Sequence, residues 1–230
     1  MILAGHQPNY LPYVGFFNKA MNCDIFELTD HVQYTKKEWQ NRNKIRTTKG
    51  WMWLTVPVLN KYKHEQKINE VRIDNDKKWS DKHWKSLQLN YKKSPFFHEY
   101  RDFFDNIYSK KWERLVDLNI TIIRYLFEQL DIRAKIIRSS ELNIEENKTG
   151  MIIEMCKKLN ADTYLSGMGG VAYLQESKFK EKDIRLIYQN FKHPIYDQRF
   201  TPFISNLSTI DLMFNYGSEK SRDIILNSGA

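Results

Sequence analysis

The 230-residue chain holds few of the residues that mark specialised architectures: two cysteines, nine glycines and six prolines. Cys23 and Cys156 cannot build a disulfide framework, and their separation fits reduced thiols in a cytosolic protein. No Cys/His spacing suits a zinc site. Scarce glycine and proline rule out collagen-like and low-complexity chains, and no internal repeat is present. No run approaches the roughly 20 apolar residues of a membrane span. The start, Met1 to His6, lacks the basic and apolar regions of a signal peptide. These absences point to a cytoplasmic protein with no membrane span.

What is present is a core and a surplus of positive charge. Apolar residues make up 41%, with 13 Tyr, 13 Phe and 6 Trp, which argues against disorder. The length suits a single domain over residues 1–230. The net charge of +8 favours anionic partners, from nucleotides and nucleotide sugars to RNA. The lysines at 36–37, 61–67, 77–78, 92–93 and 110–111 are scattered rather than gathered into one run interleaved with aromatics, so charge alone does not define a nucleic-acid binder.

Ile2-Leu3-Ala4 reads as a buried strand that ends at Gly5-His6. Pro8 and Pro12 keep the next segment extended. Helical patterning starts near Val14, and Asp24 to Leu28 reads as a strand of alternating polarity. Strand, loop, helix and strand make a βαβ unit. Further strands are expected at 51–58, 68–73, 134–138, 162–165 and 184–188. Residues 79–130 read as a mainly helical insertion, and Thr149 as the cap of a helix running to about Leu159. The fold class that results is α/β: an open, mostly parallel twisted sheet with helices on both faces.

Four constellations follow strand ends, where open parallel sheets bind ligands. The first is His6, Gln7, Asn9, Tyr10 and Tyr13, a dense set of groups for phosphate and sugar oxygens. Its plain alternative is a polar loop with a structural histidine. The second holds Asp30, Gln33, Tyr34, Lys37, Trp39, Asn41 and Arg42. Arg42 and Lys37 suit phosphates and Trp39 can stack on a ring, unless this is only a solvated charged hairpin. The third is the glycine-rich turn of Ser166, Gly167, Gly169 and Gly170 with Tyr173, a cradle of backbone N–H groups or an ordinary turn. It matches neither phosphate-loop nor dinucleotide fingerprints. The fourth runs from Tyr188 to Gln198, and its His193, before Pro194, reads as structural. No G-x-S-x-G elbow and no marked pair of acids is present. That leaves His6, His31 and Asp30 for acid–base work, with His6 best placed because a histidine titrates near neutral pH.

These strings resemble a known family. H-Q-P-N-Y-L-P-Y-x-G-F-F from His6 to Phe17, D-x-V-Q-Y from Asp30 to Tyr34 and Q-N-R-N from Gln40 to Asn43 are similar to the WbqC-like family. So are W-L-T-V-P-V at 53–58, Y-L-S-G-x-G-G at 164–170, F-x-H-P-x-Y-x-Q at 191–198 and L-S-T-I-D-L-x-F-N-Y-G at 207–217. The resemblance implies a role in bacterial O-antigen or other surface-polysaccharide assembly, with transfer of an aminoacyl group such as glycine to an amino sugar. On that expectation His6 is the base, Asn9 and Tyr10 are oxyanion donors with Asp30 beside them, and Arg42, Lys37 and the 166–170 turn hold a pyrophosphate. The donor stays open between an adenylate made from ATP, an acyl carrier and a charged tRNA. A weaker resemblance links the first strand and its histidine loop to adenylate-forming and nucleotidylyl-transferring folds. Those carry a second histidine where this chain has Asn9. A non-catalytic nucleotide-sugar or RNA-binding protein is the remaining alternative.

Overall fold

In the computed structural model, residues 1–59 and 65–229 are described. Lys61 and Lys63, two of the scattered lysines, lie outside them. Five strands form one parallel sheet: β1 (Ile2–His6), β2 (Ile25–Leu28), β5 (Lys135–Arg138), β6 (Thr163–Ser166) and β7 (Arg185–Tyr188). Their spatial order is β5-β2-β1-β6-β7. A separate antiparallel hairpin joins β3 (Arg42–Thr47) to β4 (Gly50–Thr55). The helices are α1 (Val14–Met21), α2 (Trp79–Tyr91), α3 (Phe97–Ser109), α4 (Leu115–Gln129), α5 (Lys148–Lys158), α6 (Glu176–Lys180) and α7 (Thr209–Leu226).

The period-2 direction of strand side chains divides the core in two. Leu3, Ile25 and Tyr164 face α5 and α6 and form the smaller cluster with Ile152, Cys156 and Phe179. Ala4, Phe26 and Leu165 face the other way and join α1, α4 and α7 in the larger one. There Phe26 meets Phe16 at 4.9 Å and Phe127 at 5.6 Å between ring centroids. Each such buried ring stabilises the fold by roughly 1.5–3 kcal/mol. Helices therefore cover both faces of an open parallel sheet, as the alternation of elements predicts. The helices of 79–130 pack into the larger cluster through Leu87, Tyr100, Phe104, Ile122 and Leu126.

Two local expectations fail, at 68–73 and at Thr149, and three further elements depart from what the chain shows locally. β2 is a strand, but all four of its residues are buried, so the polarity of Glu27 does not mean an exposed face. Residues 68–73 hold a short 3-10 turn, Ile68–Glu70, and only isolated bridges from Arg72 and Ile73. Thr149 lies inside the first turn of α5, whose cap is Asn147, and its hydroxyl accepts instead from the Gln175 N–H at 3.3 Å. The charged segment Arg42–Thr47 is a strand because β4 pairs with it in full and because Tyr91 Oη accepts from the Arg46 N–H at 2.8 Å. α7 also stands where no helix is expected; Ser208 caps it through the Ile210 N–H.

From β1 the chain builds outward to β2 and then β5, and it later crosses back to add β6 and β7 on the opposite side. The order reverses between β1 and β6. At such a reversal the connections leave in opposite directions and open a crevice at the carboxyl ends of the strands.

Candidate functional site

A cleft of about 640 Å³ occupies that crevice. β1 brings Gly5 and His6 to it, and Gln7 and Tyr13 follow. α1 adds Lys19, the segment after β2 adds Thr29 and Val32, and β6 with its turn adds Tyr164 and Ser166 to Gly170. Met151, Ile152 and Met155 of α5, with Phe191, form an apolar wall. Lys19 is the one charged side chain lining the cleft among the described residues.

Lys19 is nearly buried, and its ammonium donates to the Gly5 carbonyl at 2.8 Å. A Cβ on Gly167 would lie 3.5 Å from Nζ, so the cation sits between the ends of β1 and β6. Burial lowers its pKa to about 8, partly offset by Cys23 and Glu27, so it stays mostly protonated at neutral pH. An ammonium has three donors, and one is used here.

The acid–base reading of His6 needs correction. Burial, and then the Lys19 charge, lower its pKa to about 3. Nδ1 lies 2.9 Å from the Gln7 carbonyl, which can only accept, so Nδ1 carries the proton and Nε2 is a bare acceptor. His6 is a neutral hydrogen-bonding group with its ring edge-on to Phe16, not a base poised near pH 7. The group tuned to that range is Glu27, which sequence reasoning passed over. Its carboxyl is fully buried, and burial raises its pKa to about 8. Oε2 accepts from the Thr29 hydroxyl at 2.8 Å, whereas Oε1 has no partner among the described residues. Gly5 makes room for it: a Cβ there would lie 2.6 Å from Oε2 and 3.1 Å from the Tyr164 hydroxyl. The strand alternation Gly5, Glu27 and Tyr164 on one sheet face was a usable signal, but it requires the strand register.

The structure gathers His6, Gln7, Tyr13, Ser166, Gly167, Gly169, Gly170 and Tyr173 around this cleft, from two of the expected constellations. It turns others away. Tyr10 is fully buried, with its hydroxyl 2.8 Å from His83 Nδ1 and 2.6 Å from Tyr108 Oη, so it cannot meet an oxyanion. Asn9 is buried outside the lining. The loop that carries both is clamped by Asn119, which donates to the Pro8 carbonyl at 2.8 Å, and by Asn43, which donates to Leu11 at 2.6 Å. Asp30 is buried under a lattice of bonds to Arg138, Ser139 and Ser140. The glycine turn leads into five 3-10 residues rather than a helix, so it offers close backbone approach and little dipole. A Cβ on Gly170 would collide with Ser166 Oγ.

The second constellation forms a different place. Tyr34, Lys37, Asn41 and Arg42 line a separate cavity of about 220 Å³ with Lys36. Trp39 lies beside it, 5.5 Å from Trp53. Gln33 pairs with Lys67 in an isolated bridge. Arg42 therefore does not hold a pyrophosphate in the main cleft. Gln198 is occupied with both backbone groups of Ile204, at 2.7 and 2.8 Å. His193 is structural: Nδ1 donates to the Pro194 carbonyl, and Nε2 accepts from Asn206.

The WbqC-like protein family model matches residues 7–223, which takes in the cleft from Gln7 to Phe191. The chain belongs to the WbqC-like family. It is 34% identical over 215 residues to an uncharacterised protein of Mycobacterium tuberculosis, covering 93% of each chain. No solved structure matches. Among the described residues of this WbqC-like protein, no group of three His, Cys, Asp or Glu is placed to hold a metal, and no helix is long and apolar enough to cross a membrane.

Proposed function

We propose that this WbqC-like protein is an acyl- or aminoacyl-transferase acting on the amino group of a nucleotide-linked sugar in surface-polysaccharide assembly. The observation that carries the reading is one cation, Lys19, in the cleft at the reversal of strand order, with the buried Glu27 carboxyl held behind the cleft-lining Thr29. Lys19 binds the pyrophosphate, and the Met and Phe wall takes the base or sugar ring. The amine attacks the donor carbonyl, the N–C bond forms and the donor's leaving group departs. With Glu27 in its ionised form, whose share grows as pH approaches 8, the proton lost by nitrogen passes to Thr29 Oγ1 while the Thr29 proton passes to Glu27 Oε2, along the hydrogen bond already present. His6 Nε2 is an acceptor that orients the amine N–H. In this scheme the base is Glu27 rather than His6, and the pyrophosphate contact is Lys19 rather than Arg42.

The test is thermal-shift binding to UDP- and dTDP-amino sugars, ATP and tRNA, run on wild type, Lys19→Met and Glu27→Gln. A ligand that binds only the native state raises its melting temperature by mass action. The expected result is a shift with a nucleotide amino sugar that weakens about 10–100-fold in affinity with Lys19→Met, the worth of one charge-assisted hydrogen bond. A shift with ATP alone would move the assignment to an adenylate-forming ligase, and a shift without turnover to a binding protein.

A further inference from the structure

The β3–β4 hairpin presents a second surface that the cleft does not use. In its register Lys44 faces Trp53, and Arg46 faces Trp51. The Lys44 ammonium lies 4.8 Å from the Trp51 ring, 5.4 Å from Trp53 and 5.8 Å from Trp39. Arg42 lies 4.2 Å over Trp53. Trp51 and Trp39 remain 46% and 37% exposed, unusual for so large an apolar side chain. Next to the rings, Lys36, Lys37 and Arg42 line the 220 Å³ cavity. No carboxylate among the described residues pairs with Lys36, Lys37, Arg42 or Lys44. Two polar atoms there also lack partners: the buried Asn41 Oδ1, on a residue that lines the cavity, and Arg42 Nε.

Aromatic faces interleaved with unpaired cations are what a single-stranded nucleic acid needs, because bases stack on the rings while phosphates meet the charges. We infer that the Trp39–Trp51–Trp53 face, with Lys36, Lys37, Arg42 and Lys44, binds a short single-stranded RNA segment. The charge complementarity selects a polyanion, and the ring faces select unpaired bases over a duplex. This inference stands apart from the reading of the cleft.

The experiment is fluorescence titration of the full chain with labelled eight-nucleotide oligo(U) and oligo(A), an RNA duplex of equal length, and phosphatidylserine–phosphatidylcholine vesicles. Wild type, Trp51→Ala and Lys44→Gln are compared, and melting curves confirm that each is folded. Trp51 is exposed, so its loss leaves the core intact. Single strands are expected to bind with quenching of tryptophan emission. Trp51→Ala should weaken them about tenfold or more. Lys44→Gln should lower the salt slope by roughly 0.7, the value of one phosphate contact on a single strand. Absence of oligonucleotide binding at low salt, equal binding of the duplex, or affinity unchanged in both variants would each overturn the inference. Binding to vesicles in place of RNA would reassign the surface to a membrane face.

Discussion

Glu27 and Asp30 stand three residues apart, and both are fully buried. Asp30 is saturated. Arg138 Nε and its terminal nitrogen each reach Oδ2 at 2.7 Å, and Ser139 and Ser140 add an N–H and two hydroxyls. Glu27 has the Thr29 hydroxyl, a looser contact with the Ser139 hydroxyl, and one oxygen, Oε1, without a partner of regular hydrogen-bond geometry. A buried carboxylate with all its lone pairs engaged holds structure together, here the end of β2 to the end of β5. One left half-engaged, beside a cleft, carries a desolvation cost that a purely structural design would avoid, and such groups gather at functional sites. The difference separates a saturated clamp from a half-engaged acid, although in the bare sequence both are acids near a strand end.

The comparison predicts a ranked set of effects. Asp30→Ala should be the most damaging, because it strands the Arg138 charge: about 3 kcal/mol or more lost in chemical denaturation. A loss under 1 kcal/mol would put Asp30 outside the framework. Gly5→Ala should cost about 1–3 kcal/mol, since its Cβ meets Glu27 Oε2 at 2.6 Å. The same substitution in a Glu27→Gln background should cost a similar amount, which shows that the clash is steric.

Glu27→Gln sharpens the contrast through pH. The folded pKa of Glu27 is raised, so its favourable contribution is complete below about 4.5 and is lost as pH rises through about 8. His6 has a lowered pKa, so it opposes stability as pH falls from 6.5 toward about 3. The two slopes cancel between about 4.5 and 6.5 and leave Glu27 alone between about 6.5 and 8. Wild type should lose stability across that upper window. Glu27→Gln should not, and should be the more stable protein at pH 8. Identical pH profiles for the two proteins would remove Glu27 from the site. The smallest effect belongs to an exposed pair: Arg72→Ala, which breaks a 3.3 Å contact with Glu113, should change stability by no more than about 0.5 kcal/mol.

Much of the scaffold is legible along the chain. Ile2 to His6, Val14 to Met21 and the short apolar runs near 136, 164 and 186 each show the periodicity of their element, and together they imply the parallel sheet. Arg42–Thr47 was not legible, because its strand state rests on a partner and on Tyr91 rather than on its own residues. The His6–Tyr13 segment was recognisable as important, but not which of its residues point where. Asn43 and Asn119, 32 and 111 residues from the carbonyls they hold, turn Asn9 and Tyr10 inward and leave His6, Gln7 and Tyr13 at the cleft.

By itself, then, the sequence determined the elements, their order and the strand ends near which a ligand can bind, because periodicity and turn chemistry are local. The tertiary structure decided that Glu27 and Lys19, rather than His6, titrate near neutral pH, and that Arg42 and the tryptophans form a surface of their own. A pKa is set by the water a group has lost and the charges around it. For Glu27 those neighbours are Thr29, Ser139, Asp30 and Lys19, with Gly5 packed against its carboxyl, and they meet only when β1, β2 and β5 lie side by side.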